Sequence, residues 1–200
     1  VYGGSLDATH QTTPQCAGAC PAGSQCPAAT VSPAPCSRGT YCPQGSAAGT
    51  PCPSGRFGVA TDLQSEDECD WCPPGSWCSG GQRIRCARAT YNNETGADDQ
   101  SSCAPCPEHS GTAHEGADAA AQCLCEADFY DARLEPTLHE VGPACTRCPV
   151  GTSCGVRGIT LRALNLTRGA WRISNESADV LACPDGHEET TGCVGGSGNV

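Results

Sequence analysis

Lysine and methionine are absent from the 200 residues, and aromatic side chains are scarce: two Phe, three Trp and four Tyr. Val, Ile, Leu and Phe together number 23, about a ninth of the chain. A single core at this length needs roughly twice that share, so one globular domain held by burial alone is excluded. No apolar run approaches the ~20 residues of a membrane span. The N-terminus starts at Val1 and shows no signal-peptide pattern, so the sequence reads as a processed or internal stretch of a longer protein. The formal charge is −11, and every basic residue is an arginine. A chain so acidic lacks the basic face that phosphates need, which excludes nucleic acid as a partner.

What the chain has instead is cysteine: 19 of them, among 25 Gly and 16 Pro. That density is the mark of a disulfide scaffold in an oxidising compartment, outside the cell or at its surface. A bridge closing ~15 residues contributes roughly 3 kcal/mol by restricting the unfolded chain, so a row of stapled loops can replace the missing core. One phrase recurs: Cys20-Pro-Ala-Gly, Cys36-Ser-Arg-Gly, Cys52-Pro-Ser-Gly, Cys72-Pro-Pro-Gly and Cys148-Pro-Val-Gly. Pro fixes φ and Gly supplies positive φ, so the chain turns just after the cysteine. Tyr41, Phe57 or Trp77 then follows, placed to lie across a bridge. Such self-similarity means a repeat array.

The stretch from Cys103 to Cys148 is the most specific. Cys103 and Cys106 open a loop that closes at Cys123 and Cys125; Phe129 and Tyr130 follow, and Cys145 closes the next loop. This order resembles the cysteine-rich repeat of ephrin-receptor ectodomains, also described as TNF-receptor-like, and the resemblance covers roughly residues 16–154. It implies a small disulfide-rich fold: an elongated array of ephrin-receptor-like or EGF-like repeats, with short β-hairpins and little helix. The receptors' ligand-binding and kinase domains have no counterpart here, so their signalling does not carry over. Similar modules occur in flagellar hair (mastigoneme) subunits and related extracellular filaments. The expected organisation is an extended lead-in over 1–15, Cys-Pro-x-Gly repeats over 16–51, and ephrin-receptor-like repeats over 52–103. An ephrin-receptor/EGF-like module over 104–154 and a β-hairpin segment with a terminal Cys loop over 155–200 complete it.

Cys52 to Cys69 and Cys86 to Cys103 match each other, with an aromatic early and an acidic stretch late. That parallel supports the pairs Cys52–Cys69 and Cys86–Cys103, with Cys106–Cys123 and Cys125–Cys145 continuing the series. The short phrases would close on themselves as Cys20–Cys26, Cys36–Cys42, Cys72–Cys78 and Cys148–Cys154. Cys183–Cys193 closes the tail and Cys16 is left unpaired or joined to an external partner. Spacing does not prove connectivity, and a rival scheme links Cys26–Cys36 and Cys42–Cys52.

After Cys154 comes the richest aliphatic run, Ile159 to Leu166, then Thr167-Arg168-Gly169 and Trp171 to Ile173. This reads as a β-hairpin about the Gly-containing turn, with Leu161, Trp171 and Ile173 on one buried face. A two-stranded hairpin is marginal alone, so Leu161, Leu164, Leu166, Trp171 and Ile173 are expected to pack against another chain or module as an assembly contact.

Little else carries chemistry. The Cys-x-x-Cys pairs could be drawn as zinc ligands, but zinc needs reduced thiolates in groups of four, and no βαβ pattern supports redox use. No metal is expected; Ca²⁺ at Asp62–Glu68 or Asp98-Asp99 is weaker than a solvated acidic loop. His109, His114 and His139 have no catalytic partners at recognisable spacing, so no enzyme and no cofactor are expected. Asn93, Asn165 and Asn175 each head an N-glycosylation sequon, and N-linked glycans are expected there. The reading is a structural, glycosylated subunit of an extracellular filament or surface coat, flagellar surface included. Its partners would be copies of itself or other modules of a longer protein. The alternative is the stalk of a receptor or adhesin.

Overall fold

A cysteine, and three residues later a residue with positive φ, begins hairpin after hairpin. The computed structural model describes residues 18–28, 30, 32–134, 142–184 and 193–196. Among these residues nine antiparallel strand pairs form nine two-stranded sheets. Hairpin 1 pairs β1 (Ser24–Gln25) with β2 (Ala34–Pro35), and hairpin 2 pairs β3 (Thr40–Tyr41) with β4 (Thr50–Pro51). Hairpin 3 pairs β5 (Arg56–Phe57) with β6 (Asp70–Trp71), and hairpin 4 pairs β7 (Ser76–Ser79) with β8 (Gln82–Arg85). Hairpin 5 joins β9 (Thr90–Tyr91) and β10 (Ala104–Pro105); hairpin 6 joins β11 (Ser110–Thr112) and β12 (Cys123–Cys125). Hairpin 7 joins β13 (Phe129–Asp131) and β14 (Cys145–Arg147). Hairpin 8 joins β15 (Thr152–Ser153) and β16 (Asn165–Leu166), and hairpin 9 joins β17 (Ala170–Trp171) and β18 (Leu181–Ala182). The architecture is a small, disulfide-rich repeat fold.

Each first strand is launched by the same turn. The residue at its third corner has φ of 81° at Gly23, 80° at Gly39 and 77° at Gly55. In hairpins 5, 6 and 7 that corner is Ala89 (63°), His109 (56°) and Asp128 (70°). His and Asp tolerate this region better than most side chains, so the turn persists where the glycine of the phrase is lost. The turn closes with a main-chain bond such as Ser24 N to Pro21 O (3.1 Å) or Phe129 N to Glu126 O (3.1 Å). A Thr or Ser that opens the strand adds a hydroxyl donor to the same carbonyl, as Thr152 does to Pro149 O at 2.7 Å.

Contacts divide the chain into two units, one of residues up to Arg85 with Glu94–Ser102, the other of Cys86–Asn93 with residues from Cys103 on. In the first unit, the turns of hairpins 1, 2 and 3 each donate to the next hairpin: Gly23 N to Cys42 O (2.8 Å), Gly39 N to Gly58 O (3.0 Å), Gly55 N to Cys78 O (3.0 Å). In the second unit Asp128 N donates to Cys154 O (2.9 Å) and Asp131 N to Ile159 O (2.8 Å). Through these bonds the hairpins named lean on their neighbours, as in other repeat arrays.

Among the described residues, two clusters of buried apolar side chains gather around bridges. Leu63 packs with Cys52–Cys69 and Tyr41 in the first unit, and Tyr130, Leu161 and Leu164 gather at Cys154 in the second. The expected hairpin about Thr167–Gly169 is not formed. Leu166 ends the second strand of hairpin 8 while Trp171 lies in the first strand of hairpin 9, because the repeat rhythm continues through this stretch. Leu161–Ala163 forms a 3-10 turn.

Candidate functional site

The residue six places after the start of each hairpin is the site on which the repeat depends. In hairpins 1, 2, 4 and 8 it is Cys26, Cys42, Cys78 and Cys154, bridged back to Cys20, Cys36, Cys72 and Cys148. In hairpin 3 it is Gly58, and in hairpins 5, 6, 7 and 9 it is Asn92, Thr112, Asp131 and Arg172. These four polar side chains lie on residues only 2%, 3%, 7% and 3% exposed, so the position is internal whatever its polarity. Where no cysteine stands there, the opening cysteine of hairpins 3, 5, 6 and 7 bridges forward. The pairs are Cys52–Cys69, Cys86–Cys103, Cys106–Cys123 and Cys125–Cys145. Cys183–Cys193 is the ninth bridge. The links Cys26–Cys36 and Cys42–Cys52 do not occur. Every described cysteine is bridged, which leaves none of them as a thiolate; Cys16 lies outside the described residues.

The polar replacements are satisfied rather than reactive. Thr112 Oγ1 accepts from Ala89 N (3.0 Å) and donates to His114 O (2.8 Å). Burial pushes the Asp131 carboxyl up, but bonds from Arg133 and from Ala144 N, with the Arg133 charge, outweigh it and hold the carboxyl below its ordinary value. Arg133 Nη2 stands 2.6 Å from Asp131 Oδ2, and this bond raises the guanidinium pKa. Arg172 reaches Leu161 O (2.7 Å), Leu164 O and Arg162 O (both 3.2 Å) and Asn175 O (3.4 Å); burial lowers its pKa. Sequence reading missed these four residues because it followed glycine and cysteine. A count of six from each opening cysteine, ignoring what stands at the turn, would have found all but Arg172, whose hairpin opens with Leu166.

The acidic stretch Asp62–Glu68 is used locally. Glu68 Oε2 accepts from Gln64 N at 2.8 Å, ahead of the 3-10 turn Glu66–Glu68. Asp99 Oδ1 accepts from Ser101 N at 2.8 Å, which lowers its pKa. Among the described residues no group of three His, Cys, Asp or Glu is arranged to hold a metal. His109 stacks on Phe129 with centroids 4.0 Å apart, His114 is exposed, and His139 lies outside the described residues. Asn93 and Asn165 are exposed and Asn175 is half-buried. No helix among the described residues is long and apolar enough to cross a membrane.

The five residues of the expected assembly contact do not share one environment. Leu161, Leu164 and Leu166 are buried within the single chain, at 4%, 0% and 7% exposure. Tyr130, Ile159 and the Cys148–Cys154 bridge supply the surface that covers Leu161 and Leu164. Trp171 is half-buried and only Ile173, 76% exposed, faces solvent. The three leucines therefore fill hairpins of their own chain, while Ile173 stays open to solvent.

No protein-family model matches the chain. A curated protein, cysteine repeat modular protein A of Toxoplasma gondii, is 38% identical over 85 residues, 40% of this chain. That similarity agrees with the nine bridges and the hairpin rhythm. The chain is a cysteine-rich repeat protein. It spans about 3% of the length of the relative that it matches. This cysteine-rich repeat chain has the disulfide content of an extracellular or secreted protein, and its matched relative is named as modular.

Proposed function

We propose that this chain is a glycosylated structural module of an extracellular filament or cell-surface coat of the mastigoneme type, with no catalytic activity. It would work with copies of itself or with other modules of a longer protein. The observation that supports this reading is the set of main-chain bonds by which hairpins lean on their neighbours, such as Gly39 N to Gly58 O and Asp131 N to Ile159 O. A fold of this kind transmits load along the chain through bridges and backbone, and offers little of the rigid, concentrated polar chemistry that catalysis requires. The name of the relative supports a modular parent. Electron microscopy of the native material tests the proposal. Filaments or sheets decorated by an antibody to this chain support it, and labelling only of isolated particles at the cell membrane favours a receptor or adhesin stalk.

A further inference from the structure

We propose that the groove of hairpin 6 is the seat of the glycan carried by Asn93, a sugar-binding surface whose occupant is delivered covalently by the same chain. The groove is open to solvent, offers about 450 Å³ and is lined by Thr112, His114, Glu115, Ala117, Gln122 and Leu124, among others. That volume lies inside the ~300–1,000 Å³ range of small-molecule sites and admits a sugar ring. Its walls combine an apolar platform at Leu124, 40% exposed, with the imidazole of His114, the carboxylate of Glu115 and the amide of Gln122. That mixture suits a pyranose, which has apolar C–H faces and a rim of hydroxyls.

Two of the walls are held in advance, at Thr112 and at Gln122. Thr112 Oγ1 ties the segment to Ala89 N and His114 O. Gln122 Nε2 donates to Asp118 Oδ1 (2.8 Å), and Asp118 N donates back to Gln122 Oε1 (3.1 Å). A preformed groove spends little free energy on ordering when a ligand enters.

The occupant follows from the backbone. Tyr91 forms a parallel bridge with Ala117, and Asn92 N donates to Ala117 O at 3.0 Å. The next residue is Asn93, which is exposed. A glycan rooted there starts one residue from the main-chain bond that Asn92 makes to Ala117. Attachment makes the encounter intramolecular, so even a weak site fills at the effective concentration that a short tether provides.

This inference rests on the glycoprotein reading proposed above, and the experiment separates the two. The chain is secreted from a eukaryotic cell, and its glycopeptides at Asn93, Asn165 and Asn175 are identified by mass. Hydrogen–deuterium exchange over residues 112–124 is then compared in the native glycoform, after enzymatic deglycosylation, and in Asn93→Gln. Exchange slower by about tenfold in the glycoform alone, and lost in Leu124→Asp and His114→Ala with all bridges intact, is the expected result. Equal exchange with and without a sugar on Asn93 overturns the inference and leaves the glycoprotein reading standing. Sugar on Asn165 or Asn175 but none on Asn93 does the same, and no sugar at any of the three overturns both.

Discussion

Hairpins 8 and 9 share one strand-turn-strand design but close it differently. Hairpin 8 opens with Cys148 and bridges it to Cys154, six residues on. Hairpin 9 opens with Leu166 and places Arg172 at the equivalent inner position. The bridge acts largely on the unfolded chain by removing conformations. Arg172 acts on the folded chain by filling four carbonyls that would otherwise be left without this donor. Leu164 and Leu166 likewise occupy, two residues apart, the relation that Cys123 and Cys125 have in hairpin 6. The fold therefore requires something buried and well partnered at these positions, and cystine is one solution among several.

The largest effect should come from removing Arg172. Arg172→Ala leaves buried carbonyls without their charged donor, and each such loss costs ~1–3 kcal/mol; a total of ~3 kcal/mol or more is expected. Chemical denaturation read by Trp171 fluorescence, in a Trp71→Phe, Trp77→Phe background, measures it. Leu166→Cys with Arg172→Cys should restore a bridge like Cys148–Cys154, seen as the loss of two hydrogens in the non-reduced mass. A free pair of thiols there would show that hairpin 9 is not equivalent to hairpin 8.

Leu164 gives the next effect, because it is fully buried in the patch at Tyr130 and Cys154. Leu164→Ala should cost ~2–5 kcal/mol. A cost below ~1 kcal/mol in the same denaturation would mean that the bridges alone determine the second unit.

The disulfide-rich repeat fold was legible in the cysteine count and in the Cys-Pro-x-Gly phrase, since both act through local chemistry. The hairpins at Ala89, His109 and Asp128 were harder to see, because positive φ leaves no mark at an alanine and only a weak one at His or Asp. The stretch 159–173 was misread for a related reason. Its alternation of aliphatic residues is a local signal, whereas its pairing depends on Thr152–Ser153 and Leu181–Ala182, set by the repeat rather than by the run itself. Burial of Leu161 against Tyr130 joins residues thirty-one positions apart, which no local pattern encodes.

Inner positions should also differ in their response to acid. A cystine does not titrate and Arg172 stays charged, but Asp131 has a folded pKa below its ordinary value. Its contribution is present above the unfolded pKa of ~3.9 and is lost as pH falls through the lower folded value. Hairpin 7 should loosen in strong acid before hairpin 8, read as faster exchange at residues 129–131 than at 152–154. In Asp131→Asn that pH dependence should vanish, and its persistence would assign the acid sensitivity to another group.

The smallest effect is expected at Ile173, and it sharpens what the aliphatic run is for. Ile173 is 76% exposed, while Leu164 nearby is fully covered. An exposed side chain removes little area from water on folding, so Ile173→Asp should change the stability of the single chain by no more than ~0.5 kcal/mol. In Leu164→Asp the same carboxylate would be forced into an apolar patch and should prevent hairpin 8 from closing. If Ile173→Asp leaves monomer stability unchanged yet weakens self-association in sedimentation, the exposed isoleucine belongs to a contact between chains. If neither stability nor association moves, the side chain is an ordinary exposed residue and the aliphatic run serves only its own two hairpins.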